Sequence, residues 1–337
     1  MRTTHRQARE VGLAVLLAAG VPASPAEVQL DQWLEAELRG QPSHGLLRLP
    51  RIVERIHAGL ADPSATGAPT WADNLLSVDG QRGLGPVIAH RALDLILRRA
   101  AESGVAVAAI SNSNHLGMLA PYVEAGARRG MMTIALSTSE ALVHPWGGRT
   151  AMVGSNPIAV GVPADPRPFV FDMATSAVSA GKILDYAHRG QPLEDGWAID
   201  AAGRPTTDAA AATAGAIAPF GGAKGYGLGL AIELLVGGLA SHSYGRDVHG
   251  TLDSTEVCNK GDLLIAIRTS DPERARAGAS DYLEALRKSA PAPGVEVIDT
   301  PGDRARRRRA QHLEHGLEVP DPVWDRLVNL AAQLGSE

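Results

Sequence analysis

Residues 87–136 read VIAHRALDLILRRAAESGVAVAAISNSNHLGMLAPYVEAGARRGMMTIAL, and the order of patterns within them decides the fold class. Ile88, Ala92, Leu95 and Ile96 recur on one helical face over residues 87–102, and Gly104 supplies a left-handed stop. Residues 105–110 are an unbroken apolar run of strand length, the pattern of a strand covered on both faces. SNSNHLG interrupts as a polar loop, residues 118–129 return to helical spacing, Gly130 stops them, and 131–136 form a second apolar run. Strand, helix, strand predicts an α/β chain, with parallel pairing of the two runs as the natural geometry.

Outward from this unit, apolar runs predict further strands at 158–162, 169–173, 262–267 and 294–298, and periodicity predicts helices near 225–240, 272–288 and 322–334. ADPSATGAPTW, residues 61–71, is expected to be a loop. The amino terminus imitates a secretory signal, with Arg2, Arg6 and Arg9 before the apolar run 11–19 and small residues at Ala23 and Ala26. The competing reading is two helices: Gly20 and Pro22 close the first, Ser24-Pro25-Ala26-Glu27 caps the second, and Leu30, Trp33, Leu34 and Leu38 continue it. Cleavage after Ala23 or Ala26 would strip or split that cap, and Glu10 precedes the apolar run, so a cytoplasmic protein is expected. No other stretch approaches the ~18 apolar residues of a membrane span.

The 337 residues suffice for about two domains, and 45% hydrophobic content with 37 Gly and 22 Pro excludes a disordered or fibrous chain. Aromatic residues at 4% leave the core to Ala, Val, Leu and Ile and disfavour stacking on single-stranded nucleic acid. With 32 Lys plus Arg against 37 Asp plus Glu, the net charge of −5 lacks the basic field that nucleic acid requires. Cys258 is the single cysteine, which rules out an internal disulfide and Cys-based zinc sites and leaves His and carboxylates for any metal.

Neither G-x-G-x-x-G nor a Walker loop occurs, so a standard Rossmann or P-loop nucleotide site is disfavoured. GGAKGYGLG, residues 221–229, still opens a helix with glycines and Lys224, an arrangement equally suited to an anion or to tight helix packing. His115 lies beyond the carboxyl end of a predicted strand, where open α/β sheets bind ligands; a plain loop histidine is the alternative. In PSHGLLRLP, His44 follows Ser43 and stands four residues before Arg48. One helical turn would align an imidazole for proton transfer with a guanidinium for a carboxylate, whereas a helix cap at Ser43 would leave Arg48 solvated. Arg304, Arg306, Arg307, Arg308 and Arg309 follow Pro301-Gly302-Asp303, read as a solvated helix face or, with Arg304 nearest the turn, a phosphate partner.

Taken together, PSHGLLRLP, SNSNHLG, HPWGGRTAMVGSNPIAVGVP, FDMATS with Gly181-Lys182, GWAID with GRPTTD, GGAKGYGLGLAIELL and the PGD turn resemble, in order and spacing over residues 10–335, the malate/L-lactate dehydrogenase family of the second type. This family is unrelated to the Rossmann-fold lactate and malate dehydrogenases. The resemblance implies a three-layer α/β fold with a mixed sheet, a non-Rossmann cofactor site and a helical part formed by the chain ends. Residues 1–75, packing with about 305–337, would form that helical part, and 76–304 the cofactor-binding and catalytic part. It further implies a homodimer that uses NAD or NADP, without a metal, to interconvert a small 2-oxo acid and its 2-hydroxy acid. A cyclic ketimine reductase is the nearest alternative.

Carried over residue by residue, His44 and His115 would be catalytic, with His44 favoured as proton donor. Ser43, Arg48 and Ile52 would face the substrate. Asp172, Met173, Ala174, Thr175 and Ser176, the pair Lys224 and Gly225, and the turn Gly302, Asp303 and Arg304 would face the cofactor. Ile52 stands where many relatives carry a tyrosine. Ser139 and Glu140 stand where Asn and a small residue are common, and Glu140 would set an acid near the cofactor, favouring NAD where Arg304 would favour NADP.

Overall fold

Side chains along the apolar runs alternate between two buried faces, and this alternation builds three layers. The computed structural model describes residues 1–334. Its main sheet contains β1 (Ala68–Ala72), β2 (Leu75–Gly83), β3 (Val105–Ser113), β4 (Met132–Ser137), β5 (Ile158–Val162), β6 (Phe169–Met173) and β7 (Asp262–Ile267). The spatial order is β1-β2-β3-β7-β4-β5-β6. Ala106, Ala108, Ile110, Ala135, Leu264 and Ala266 turn to one side, under the helices Gly85–Ser103 and Ala120–Arg128. Ala109, Leu136 and Leu263 turn to the other, against Ile232 and Val236 of the helix Ala223–Val236.

The strand, helix, strand unit is present, but its strands are not neighbours. β7 lies between β3 and β4 and pairs antiparallel with both, Leu264 facing Ala108 and Ala135, so β3 and β4 run the same way one strand apart. Local pattern carries no information on a strand inserted from so much later in the chain. Among the described strands of this sheet, only β2 and β3 pair in parallel. Residues 61–71 are not wholly a loop, because residues 68–71 belong to β1, where Pro69 is tolerated on an edge strand. Residues 294–298 form no strand: Val295 and Val297 are exposed, Val295 N–H turns back to Ala292 O at 3.0 Å, and no strand among the described residues pairs with them. Gly161 in β5 lets the helix Ala120–Arg128 sit close, since a Cβ there would lie 2.2 Å from the Val123 carbonyl oxygen.

The chain ends form a second body. Helices His5–Ala18, Ala23–Leu38 and Leu49–His57 share a core with Leu317 and with Trp324 and Leu327 of the helix Asp321–Leu334. Arg2–Thr3 pairs antiparallel with Leu317–Glu318. Val15 and Leu16, from the signal-like run, are fully buried here. The capping box falls at Thr4 and Gln7 rather than at Ser24, because the second helix already begins at Ala23 after Pro22, with no side-chain cap.

The run Ala223–Ser241 is, contrary to expectation, long and apolar enough to cross a membrane by length and composition, with mean hydropathy 1.2. One face of it packs on the sheet through Ile232 and Val236, while Leu228, Leu234, Leu235 and Leu239 stay exposed. Buried Glu233 accepts hydrogen bonds from Gly154 N, Asn156 Nδ2 and Gly245 N.

At the head of β7, the buried Lys260 ammonium bonds the buried Asp262 carboxylate, which also accepts from Ser137 Oγ at 2.6 Å. Lys260→Met leaves that carboxylate uncompensated and is expected to cost about 3–5 kcal/mol in denaturant unfolding. The double change Lys260→Met/Asp262→Leu should recover most of the loss, and no recovery would show that the pair is not what stabilises this end of the sheet.

Candidate active site

PSHGLLRLP folds as two 3₁₀ turns, Pro42–His44 and Leu46–Arg48, ahead of the helix Leu49–His57. His44 and Arg48 therefore do not stack on one α-helical turn. Nor is Arg48 solvated: it is half-buried, its Nε donates to Ser43 O at 2.9 Å and its Nη1 to Thr251 O at 3.3 Å. The break lies at Gly45, where a Cβ would meet Glu37 Oε1 at 2.2 Å; that oxygen accepts Leu46 N–H at 2.8 Å. Burial raises the Glu37 carboxyl to about 7.

The loop after β3 brings His115 to His44, with ring centroids 5.6 Å apart and planes inclined by 31°. Gly117 N–H donates to His115 Nδ1 at 2.9 Å, which fixes the proton of the neutral ring on Nε2. His44 Nδ1 lies 3.1 Å from Ser43 Oγ, a hydroxyl that can donate or accept. Burial, then the Arg48 charge, lowers His44 to about 4. The same two causes, with His44 itself next, hold His115 well below the usual imidazole range. Burial and neighbouring Arg51 lower Arg48 to about 10, against the opposing pull of Glu140. In the free protein both imidazoles are neutral at pH 7, beside a guanidinium deprived of water.

Asp172, at the end of β6, accepts Ala120 N–H at 2.7 Å, capping the helix that follows the His115 loop; burial raises its pKa to about 6. Thr175 N and Oγ1 both donate to Ser155 O, at 2.7 and 3.1 Å. Asp303 binds Arg287 Nε and Thr300 N, each at 3.0 Å, and so secures the late turn.

A cavity of about 620 Å³ lies between the chain-end helices and the sheet, within the ~300–1,000 Å³ usual for ligand sites. Ser43, His44, Arg48, His115, Asp172, Met173, Ala174, Ser176 and Gly302 all line it. Ile52 lines an adjoining space of about 30 Å³ with Arg48 and His115. Thr175, Lys224, Gly225, Asp303 and Arg304 are outside the lining; Lys224 and Arg304 are exposed, and Gly225 packs on Phe220 O, 1.8 Å from where a Cβ would sit.

Sequence reasoning passed over Arg39, Arg51 and Arg306, which all line the cavity. Arg306 lay in the arginine run, and its place three residues after Asp303, facing the sheet, was the available signal. It donates from Nη2 to Pro168 O at 2.7 Å, while its Nη1, 3.9 Å from Asp303 Oδ1, and Ser176 Oγ are buried without a hydrogen-bond acceptor or donor among the described residues. Gly302, at φ +93°, leaves room that a Cβ would close against Arg306 and Val170 O. Two buried donors without a hydrogen bond and a glycine opening on one cavity fit an anionic dinucleotide. Glu140 is not on that wall: its carboxylate accepts Thr251 N–H at 2.6 Å, Leu252 N–H at 2.8 Å and the Thr251 hydroxyl.

The malate/L-lactate dehydrogenase sequence profile matches residues 3–328. An L-sulfolactate dehydrogenase from Methanothermobacter thermautotrophicus is 34% identical, over 99% of this chain and 97% of the relative. A (2R)-3-sulfolactate dehydrogenase (NADP(+)) from Chromohalobacter salexigens is 36% identical over 96% of each chain. The crystal structure of a dehydrogenase from Sinorhizobium meliloti superposes with TM-score 0.94 at 52% identity, covering 98% of both chains.

Glu37 makes the turn at Gly45 pH-sensitive. Its folded pKa, about 7, lies above the unfolded value of 4.5, so the folded state holds the extra proton between these limits. The stability that Glu37 contributes is full below pH 4.5 and is lost as pH rises through 7. The unfolding free energy of wild type minus that of Glu37→Gln should fall across this window and level off above it; a flat difference would contradict the assignment.

Proposed function

The chain belongs to the malate/L-lactate dehydrogenase family, and from that premise we propose that it interconverts a small 2-oxo acid and its 2-hydroxy acid by hydride transfer at C2, with NAD or NADP. The observation that carries this reading is the convergence of His44, Arg48 and His115 on one cavity that also holds donors of Ser176 and Arg306 without a hydrogen bond. When bound, the reduced nicotinamide supplies the hydride.

Arg48 holds the substrate carboxylate, its guanidinium already aimed by Ser43 O and Thr251 O, so little orientation is lost on binding. His115 offers Nε2–H to the C2 oxygen as a neutral donor. It cannot take a second proton on Nδ1, where Gly117 N–H already points, unless the loop moves. His44 has no such block, because Ser43 Oγ can accept from a protonated Nδ1. His44 is therefore the group that delivers the proton to the developing alkoxide, and the carboxylate on Arg48 offsets the repulsion that keeps the free imidazole deprotonated.

On the cofactor side we assign Asp172, Met173, Ala174, Ser176, Gly302 and Arg306, with Thr175 and Asp303 holding the backbone behind them. Lys224, Gly225 and Arg304 are kept as cofactor contacts on the family resemblance alone. Ser43 and Ile52 stay on the substrate side.

The proposed homodimer draws support from Leu228, Leu234, Leu235 and Leu239, which remain exposed along the run Ala223–Ser241. A cytoplasmic location is proposed because Val15 and Leu16 of the signal-like run are spent on the core. The division into residues 1–75 with about 305–337, and 76–304, remains part of this reading, with β1 crossing to the sheet as its edge.

His44→Ala is expected to lower kcat by about 10²–10⁴ with a small change in substrate KM, in assays of 2-oxo acids and cyclic imines that follow loss of the reduced nicotinamide. Near-normal turnover in His44→Ala, together with its loss in His115→Ala, would reverse the assignment. Turnover of the imines alone would identify a ketimine reductase. Leu235→Glu should convert a dimer to monomers in sedimentation velocity, and a wild-type monomer would remove the dimer from the proposal.

A further inference from the structure

The helix that begins after Arg48 carries more positive charge than one carboxylate requires. Arg48, Arg51 and Arg55 are spaced to share one face, and all three border the small space beside His115. Arg55 is anchored, from Nε to Asn114 Oδ1 at 2.9 Å and from Nη1 to Asp253 O at 2.8 Å, but its Nη2 is buried without an acceptor. Arg51 is half-buried, lines both cavities, and among the described residues has no hydrogen bond or ion pair.

The neighbouring acids are committed elsewhere. Glu54 pairs with Arg326 at 2.6 Å, and Glu140 is taken up by the 251–252 backbone. Arg51 nevertheless acts on the charges of Arg48, Arg55 and His115, so it stands at the reacting end of the cavity.

We infer that Arg51 is a specificity-determining residue that receives a second anionic group, a carboxylate or a sulfonate carried beyond the reacting C2 of the substrate. This rests on the hydride-transfer reading above. A monoanionic 2-oxo acid satisfies Arg48 and leaves Arg51 facing another guanidinium across poorly hydrated space. A dianion converts that repulsion into two attractions. Ile52, on the same turn, offers no hydroxyl to a neutral polar tail, so charge is what this wall can read.

The test compares 2-oxobutanedioate and 3-sulfo-2-oxopropanoate with 2-oxobutanoate, a monoanion of matched length, in wild type and Arg51→Gln. Wild type should favour at least one dianion by about tenfold to a hundredfold in kcat/KM, and the two arms tell carboxylate from sulfonate. Arg51→Gln should bring that ratio to within about threefold of unity, mainly through KM, with the thermal midpoint and the cofactor dissociation constant unchanged. Titration calorimetry of 2-hydroxybutanedioate and 2-hydroxybutanoate into the cofactor-loaded protein should show the same preference and the same loss.

A wild type without preference, or a preference that survives Arg51→Gln, overturns the assignment while hydride transfer stands. Weakened cofactor binding with discrimination intact also overturns it, by moving Arg51 to the dinucleotide. If no 2-oxo acid turns over, the 2-oxo acid reading falls, and calorimetry alone decides whether Arg51 reads the second charge.

Discussion

Much of the molecule hangs on the buried contact between Lys260 and Asp262 at the head of β7. β7 joins β3 to β4; without it the sheet is two halves with open edges. The pair fixes where β7 begins, and Ser137 Oγ ties the same carboxylate to the end of β4. The chain just before β7 is thereby held over the active site, with Thr251 O against Arg48 and Asp253 O against Arg55. Lys260 also helps keep His115 neutral through its charge. One ion pair therefore serves sheet closure, loop placement and the protonation state of the His115 ring.

The site is an accumulation of cations with too few counter-charges. Burial and repulsion between neighbouring positive charges lower Arg48, His44 and His115 together. In the proposed mechanism an anion on Arg48 relieves all three at once, so carboxylate binding and a rise in the proton affinity of His44 would be one event.

The sequence made the strands at 158–162, 169–173 and 262–267 legible, because each is a short apolar run bounded by turn residues. It could not show that β7 separates β3 from β4, since pairing across such a distance leaves no local trace. β1 was missed because Pro and Gly dominate its surroundings, although an edge strand needs pairing on one side only. In the site, His44, Arg48 and His115 were legible as motif residues, and the cavity does gather them. The conformation of PSHGLLRLP was not, because spacing alone suggests an α-turn and the break at Gly45 is imposed by Glu37 from another helix. Arg51 was hidden by its plainness: one arginine among several, it is distinguished by lining the cavity with no hydrogen bond or ion pair among the described residues, where Arg39, Arg48 and Arg306 are all bonded.

Length suggests two domains, yet the chemistry lies on neither alone. His44 and Arg48 come from the helical body and His115 from the sheet, so their alignment depends on the seam between the bodies. That seam is polar and directional. Arg39 spans it, bonding Glu35 on one side and Glu124 on the other at 3.0 and 2.7 Å, and Gln32 Nε2 donates to Met118 O at 2.6 Å. Apolar packing alone would let the bodies slide, whereas charge-assisted hydrogen bonds fix register. Glu124 rides on the helix that Asp172 caps, so the β6 turn, the His115 loop and the seam form one connected frame. Displacement at the seam would change the 5.6 Å between the imidazoles before it exposed any core, so the geometry of the reaction is less protected than the fold that carries it.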